Sequence, residues 1–431
     1  MRIRKTAYPV LGTNSYDCWG PYITEEIALK AIDIFAEKLK PHGYEYFCFD
    51  AEWYTHESYE DRLNPEKCRP SQLDEFGRWN VSPVKFPHGL KFITDYCHAR
   101  EIRFGIHFFR GIPKLAVERN TRIKGTDYHA QDICDTFNTC PWGVPNYGVD
   151  MNKPGAQEYY NSVIEYFAEN GVDFLKVDDM AEQPAEILAV SRAIDRVDRP
   201  ILFSLSPGDN VYRGNIELLR EHANMFRISG DIWDRSGDVE KGFERWELWE
   251  NCGSTEECYL DLDMVPFGEL QSYIPEHLSR DHVQHDLNEK RQSRLSLESK
   301  RTFMTQRVMA ASPILFGGNL ERTSDEDFAL LTNGDALKCN RNGVTGKRIF
   351  GQRFIDIRQT PCKNDPQHGW IGIFNRKGEA YHFTLPIEAL QLPESVDPAL
   401  LKDIWTGRKI EIRQGQIIMD LKFQECFFAA Y

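Results

Sequence analysis

The chain has 431 residues, 41% of them hydrophobic and 27% charged, which is the composition of an ordinary globular protein. Lys and Arg number 52 and Asp and Glu 66, a net charge of -14. With no Lys/Arg-rich run, that balance argues against a nucleic-acid partner. No apolar run approaches the roughly 18 residues that a membrane helix needs, so no membrane partner is expected.

The opening segment, MRIRKTAYPVLG, is basic but lacks the apolar centre of a signal peptide, which places the expected location in the cytoplasm. After it, short apolar or β-branched runs recur: 8–12, 44–50, 103–109, 172–178, 200–206, 224–229, 258–264 and 312–318. Between them lie helical patterns. In 23–39, Thr24 can cap, and Ile27, Ala31, Ile34, Phe35 and Leu39 repeat along one face. The frame 155–170 follows Pro154 and ends before Gly171, and 185–194 and 303–311 fit as well. Eight strand–helix units predict an α/β fold, a (β/α)8 TIM barrel spanning 1–334. A doubly wound open sheet is the alternative, and no GxGxxG follows the first strand to support it.

From about residue 335 the pattern changes to period-two alternation, in 370–376, 380–386, 409–421 and 426–431. This predicts a small C-terminal antiparallel β-sandwich over 335–431. Residues 54–86 and 110–150 follow strands two and three and read as βα loops on the catalytic face. The charged stretch RDHVQHDLNEKRQSR inside 266–300 reads as a solvated insertion. The 11 cysteines are scattered without a CxxC spacing, which reads as buried thiols in a reducing compartment. No cofactor or metal is expected. Nothing in the sequence decides between a monomer and a homo-oligomer.

In a barrel the chemistry sits where the strands end. Those ends carry Asn14, Tyr16, Asp17 and Trp19; Asp50, Glu52 and Trp53; His107 and Arg110; Lys176, Asp178 and Asp179; Ser204 and Ser206; Arg227 and Asp231; Asp261 and Asp263. Charges clustered where burial is costly call for a reason beyond packing. Two carboxylates on non-adjacent strands can face each other across a sugar ring, the requirement for glycosidic cleavage. Asp178 follows Lys176 by two and shares its side of the strand, so the cation favours an ionised nucleophile. Asp231, in the loop after strand six, is the candidate proton donor. A divalent metal on His107, Asp50 and Asp178 is the competing reading, without a His-x-His or HExxH spacing behind it.

Taken in order, the motifs resemble glycoside hydrolase family 27, the α-galactosidase and melibiase group. Its opening pattern, PPMGWNSWDCFG, is matched by YPVLGTNSYDCWG (8–20), and the DDCW that ends its second strand by FDAEW (49–53). Its LKYDNC nucleophile strand is matched by FLKVDDM (174–180), and its WRxxxDIxDxW segment by FRISGDIWDRS (226–236). DPDML, AAPLFMSNDLR and DLWSGK find counterparts in DLDMV (261–265), MAASPILFGGNLER (309–322) and DIWTGRKI (403–410). The resemblance implies a retaining exo-glycosidase acting on terminal α-galactosides, with Asp178 as nucleophile and Asp231 as acid/base, their carboxyl groups about 5–5.5 Å apart. It implies that Asp50, Lys176 and Arg227 bind sugar hydroxyls. Tyr16 stands at the family's pocket Trp and His107 at a usual Tyr. Trp53 is counted with this substrate-binding set, as is Ser206, at the family's Glu near O2; Trp142, in the 110–150 loop that has no counterpart in the family, is a further substrate-binding candidate and reads either as an aglycone wall or as a loop anchor packed on the barrel.

The departures bear on the sugar. The family's second Asp after strand two, which reads the C4 and C6 end of galactose, is Ala51 here. A small polar residue at Ser206 also occurs in α-N-acetylgalactosaminidases. The sibling alternatives are therefore an α-N-acetylgalactosaminidase, a β-L-arabinopyranosidase and an α-glucan exo-enzyme of the isomaltodextranase type. A non-catalytic carbohydrate-binding protein is the alternative of a different class. An oligosaccharide or other glycoside is the expected partner in every case.

Overall fold

The computed structural model describes residues 3, 5–64, 66–67, 71–140, 145–275 and 289–431. Eight strands form one parallel sheet: β1 (Leu11–Asn14), β2 (Tyr46–Phe49), β3 (Arg103–Phe109), β4 (Phe174–Asp178), β5 (Leu202–Leu205), β6 (Met225–Arg227), β7 (Tyr259–Asp261) and β8 (Ile314–Phe316). They pair in the order β7-β6-β5-β4-β3-β2-β1-β8. The last seam closes just beyond β7. There Val265 pairs in parallel with Phe316, its N–H donating to Leu315 O at 2.8 Å while Gly317 N–H donates to Val265 O at 3.0 Å. All eight expected strands are present, and the chain is a (β/α)8 barrel. β1, β2 and β5 are buried at every residue, as strands covered on both faces must be. The barrel interior is filled from several strands by Tyr46, Cys48, Phe174, Leu202, Met225, Tyr259 and Leu315. Gly105 makes room for this packing: a Cβ there would lie 2.6 Å from the Phe174 ring.

The outer helices follow their sequence signals. In the helix Glu25–Lys38, Thr24 Oγ1 accepts from Ile27 N–H at 3.4 Å. Its fully buried line is Ala28, Ile32, Phe35 and Leu39, with Ile27, Ala31 and Ile34 at the margin of the stripe. The helix Leu297–Met309 begins six residues before the expected frame, because Ser296 Oγ caps Ser299 N–H at 3.1 Å.

A helix at Gly334–Arg341 precedes the antiparallel part. Strands β9 (Lys347–Gln352), β10 (Ile355–Pro361), β11 (Gly369–Asn375) and β15 (Cys426–Ala430) form one sheet in that order. Strands β12 (Tyr381–Pro386), β14 (Gln416–Leu421) and β13 (Glu411–Arg413) form the other. Ile355, Ile357, Ile371, Ile373, Phe383, Leu385, Ile417, Met419 and Phe427 build the core of this part. Phe374 and Phe428 pack instead into the barrel's core, against Phe243 and Trp246 among others. Arg358 of β10 is fully buried at that junction, on Glu250 at 3.0 Å and over the Trp246 ring at 4.2 Å.

The 110–150 segment carries a three-stranded antiparallel ribbon, Ile112–Pro113, Asn146–Val149 and Cys134–Thr139. Of the charged stretch RDHVQHDLNEKRQSR, read as a solvated insertion, residues 280–288 lie outside the described residues, and the described part is held to the fold. Glu269–Leu270 and Arg291–Gln292 pair as a short ribbon, and the buried Arg291 makes a two-pronged contact with Asp234 at 2.6 and 2.9 Å. Buried charges survive because they are paired, and periodicity carries no sign of pairing. The ten described cysteines are free thiols, seven of them buried. No helix among the described residues is long and apolar enough to cross a membrane.

Candidate active site

A cavity of about 620 Å³ opens where the barrel strands end. Tyr16 and Asp17 after β1, Asp50 and Ala51 after β2, Lys176 and Asp178 of β4, Arg227 of β6 with Asp231 beyond it, and Asp263 and Met264 after β7 all line it. The expected site residues Tyr16, Asp50, Lys176, Asp178, Arg227 and Asp231 therefore meet in one place. Trp142 lies outside the described residues.

Asp178 is the most elaborately held of these groups. His107 Nε2 contacts its Oδ2 at 2.8 Å, and Ser206 Oγ donates to its Oδ1. Burial by itself would raise this carboxyl, but the Lys176 ammonium, His107 and the Arg227 guanidinium outweigh it and hold the group well below the usual carboxylate range. Asp178 is thus ionised, with its oxygens oriented from behind. Lys176 Nζ donates to Asp50 Oδ2 at 2.7 Å, and Asn14 Nδ2 donates to the same oxygen at 2.6 Å. Burial would raise Asp50 too, and Lys176 again outweighs it. Between two carboxylates, Lys176 stays protonated beyond its ordinary range despite its burial.

Asp231 differs in kind. Its side chain is 67% exposed, against 19% for Asp178, and its Oδ1 accepts from Arg227 Nη2 at 2.7 Å. Arg227 is shared: Nη1 donates to Asp263 Oδ1 at 3.2 Å, while Asp263 Oδ2 accepts from Ile232 N–H at 2.7 Å. Asp263 thereby pins both the guanidinium and the backbone next to Asp231. It adopts a left-handed φ of 72°, as does Asp179 at 60° beside Asp178. Such backbone is sparsely populated by non-glycine residues and collects at functional sites. Asp263 stood in the strand-end roll of the sequence. Its pairing with Arg227, which gives it a role, is a tertiary fact that no spacing displays.

Three expected substrate contacts are placed elsewhere. Trp53 is 1% exposed and sits in the barrel's core, its Nε1–H donating to His107 O at 2.7 Å. Beyond β2 the chain turns through Glu52 at φ 63°, so alternation does not carry the indole to the cavity. Glu52 turns away too, onto Arg62. His107 is fully buried and acts on Asp178 rather than on the cavity. Ser206, 2% exposed, does the same from the other side. The 110–150 segment is tied to this centre through the buried Arg110, which reaches Asp179 at 2.9 Å, Glu186 at 2.8 Å and Asn138 of the ribbon at 2.8 Å.

No family model matches the chain. Among solved structures it is similar to a GH27 β-L-arabinopyranosidase from Geobacillus stearothermophilus, an Asp-to-Ala variant in complex with arabinose. The likeness is 30% identity over 99% of this chain and 97% of the other, with a TM-score of 0.87. Among curated proteins it is 25% identical to human α-N-acetylgalactosaminidase over 70% of this chain, a match spanning 63% of that enzyme's length. It is also 25% identical to the α-galactosidase mel1 of Schizosaccharomyces pombe, over 81% of this chain and 72% of the relative. Identity at that level along the whole of both chains, on the same barrel, makes this chain a member of glycoside hydrolase family 27.

Proposed function

We propose that the chain is a retaining exo-glycosidase of terminal α-galactosides, with Asp178 as nucleophile and Asp231 as acid/base. The observation that carries the reading is Asp178: an ionised carboxylate, oriented by His107 and Ser206, on a cavity that Asp231 also lines. In the first step an Asp178 oxygen attacks the anomeric carbon, and Asp231 gives its proton to the departing oxygen. In the second step Asp231 takes a proton from water as the water attacks the same carbon, and Asp178 leaves as a carboxylate. The exposure of Asp231 suits a group that must meet the leaving group and then water. Arg227, held by Asp263, orients it. Lys176 and Asp50 offer a donor and an acceptor to ring hydroxyls, as charge-assisted hydrogen bonds.

One observation favours a second sugar on the same site. Ala51 lines the cavity where a polar reader of the C6 end would stand, and its methyl group makes no hydrogen bond. A β-L-arabinopyranoside has the ring of an α-galactoside without the C6 hydroxymethyl group, so it needs no such reader. A panel of p-nitrophenyl glycosides, run with wild-type and Asp178→Ala protein, decides between them. It holds the α-galactoside, β-L-arabinopyranoside, α-N-acetylgalactosaminide and α-glucoside. Release from the α-galactoside, lost in the variant, is expected. Greater release from the arabinopyranoside would transfer the assignment to the second sugar. Equal release by wild-type and Asp178→Ala protein would overturn the mechanism.

A further inference from the structure

Asp17 lines the cavity, is 4% exposed, and its carboxyl makes no hydrogen bond or ion pair with the rest of the described protein. The neighbouring carboxyls on the cavity are held: Asp50 by Lys176 and Asn14, Asp178 by His107 and Ser206, Asp263 by Arg227 and the Ile232 N–H. An orphaned buried polar group costs about 1–3 kcal/mol, and such groups are few in folded proteins. The place is nonetheless built for this side chain. Asp17 lies over Gly317 at the end of β8, where a Cβ would come 2.2 Å from Asp17 Oδ2, so any larger residue at 317 would displace the carboxyl.

The surroundings favour the acid form. Burial acts first and Asp263 second, with Asp231 and Asp50 adding to them, and Lys176 is the opposing cation; together they raise this carboxyl well above its usual range. A neutral carboxyl both donates and accepts a hydrogen bond, as a sugar hydroxyl does, whereas the ionised Asp50 and Asp178 only accept. We propose that Asp17 is a specificity-determining residue of this site, its carboxyl hydrogen-bonding one ring hydroxyl of the bound sugar so that the enzyme demands a hydroxyl at that position. The proposal rests on the glycosidase reading above.

The test compares kcat/KM for wild type, Asp17→Ala and Asp17→Asn on the aryl glycoside chosen by the panel and on its singly deoxygenated forms. On the parent glycoside, Ala is expected to lose about tenfold or more. Asn, whose amide also donates and accepts, stays within about threefold of wild type. On one deoxygenated form the Ala loss disappears, because the partner hydroxyl is already gone. The same loss on every deoxygenated form would overturn the proposal, since a purely structural effect does not single out a hydroxyl. So would an Ala variant within threefold of wild type on the parent. If Asp17→Ala fails to fold, Asn carries the test alone, and a tenfold loss there refutes the neutral-acid contact. Wild-type protein inactive on every parent glycoside, with Asp178→Ala no different, overturns the glycosidase reading and this proposal together.

Discussion

Replacing Lys176 with Met asks how far one cation sustains the site. Its ammonium lies 2.7 Å from Asp50 Oδ2 and is the largest influence lowering Asp178; Asp50 is buried and Asp178 mostly so. Met keeps most of the volume and removes the charge. Asp50 retains the Asn14 amide and the Ala51 N–H, and Asp178 retains His107 and Ser206, so hydrogen bonding is largely preserved while charge balance is lost. Breaking one member of a buried ion pair typically costs about 3–5 kcal/mol. Relief from the repulsion between Lys176 and Arg227 works against that cost, so a loss of about 3 kcal/mol at pH 7.5 is the expectation. The sign with pH follows from the two carboxyls. Both are depressed in the folded wild type, so their contribution is present above the unfolded value of about 3.9 and fades as pH falls through the folded values. Without Lys176 both rise, and one takes up a proton in mildly acidic buffer, so the deficit shrinks toward pH 5. Urea unfolding of wild type and Lys176→Met at pH 7.5 and 5 measures this. A deficit below about 1 kcal/mol at pH 7.5, or one that does not shrink at pH 5, refutes the charge balance described here.

Two further predictions concern neighbouring positions. Burial and Asp263 push the Asp261 carboxyl up to about 6 in the folded protein, against about 3.9 unfolded. The folded state binds more protons between those values, so stability falls as pH rises through that window. Asp261→Asn, which can still accept from Asp263 N–H, should remove on the order of 1 kcal/mol of the stability difference between pH 5 and pH 8. An unchanged difference, read by urea unfolding at both pH values, means Asp261 is not the group that titrates. Ala51→Asp should raise kcat/KM on the α-galactoside relative to the β-L-arabinopyranoside by about tenfold, the worth of one added hydrogen bond to a charged group. An unchanged ratio would mean that position 51 does not read the C6 end.

The barrel was legible because its strands are short apolar runs, many of them followed by helical patterns; Arg103–Phe109 has the expected bounds at both ends. The sandwich was legible only in part. β9 is mostly exposed, and β10 buries Asp356 against Arg358, which also reaches Glu250, so neither strand presents the simple alternation of its neighbours. Asp178, Lys176, Asp50, Arg227 and Asp231 could be expected on one cavity because each stands on or close to a strand end. Trp53 is buried away from the cavity, where the register is lost in a turn through a left-handed residue. His107 and Ser206 stand off the cavity for a different reason. A side chain behind Asp178 and one on the cavity occupy the same strand end, and only the Asp178 contacts separate them. Asp17 was visible as a strand-end carboxyl, but its lack of a partner is a property of the folded wall alone.

The division of labour between Asp178 and Asp231 is tested most directly by crossed azide rescue. Asp178→Ala and Asp231→Ala are each assayed on an activated aryl glycoside with added azide, and the anomer of the glycosyl azide is read by NMR. If Asp178 is the nucleophile, azide replaces it in a single displacement, and the product from Asp178→Ala has inverted configuration. If Asp231 is the acid/base, azide intercepts the glycosyl-enzyme in Asp231→Ala, and the product keeps the configuration of the substrate. Inverted azide from the first variant and retained azide from the second is the result the account predicts; the reverse pairing, or the same anomer from both, would contradict it.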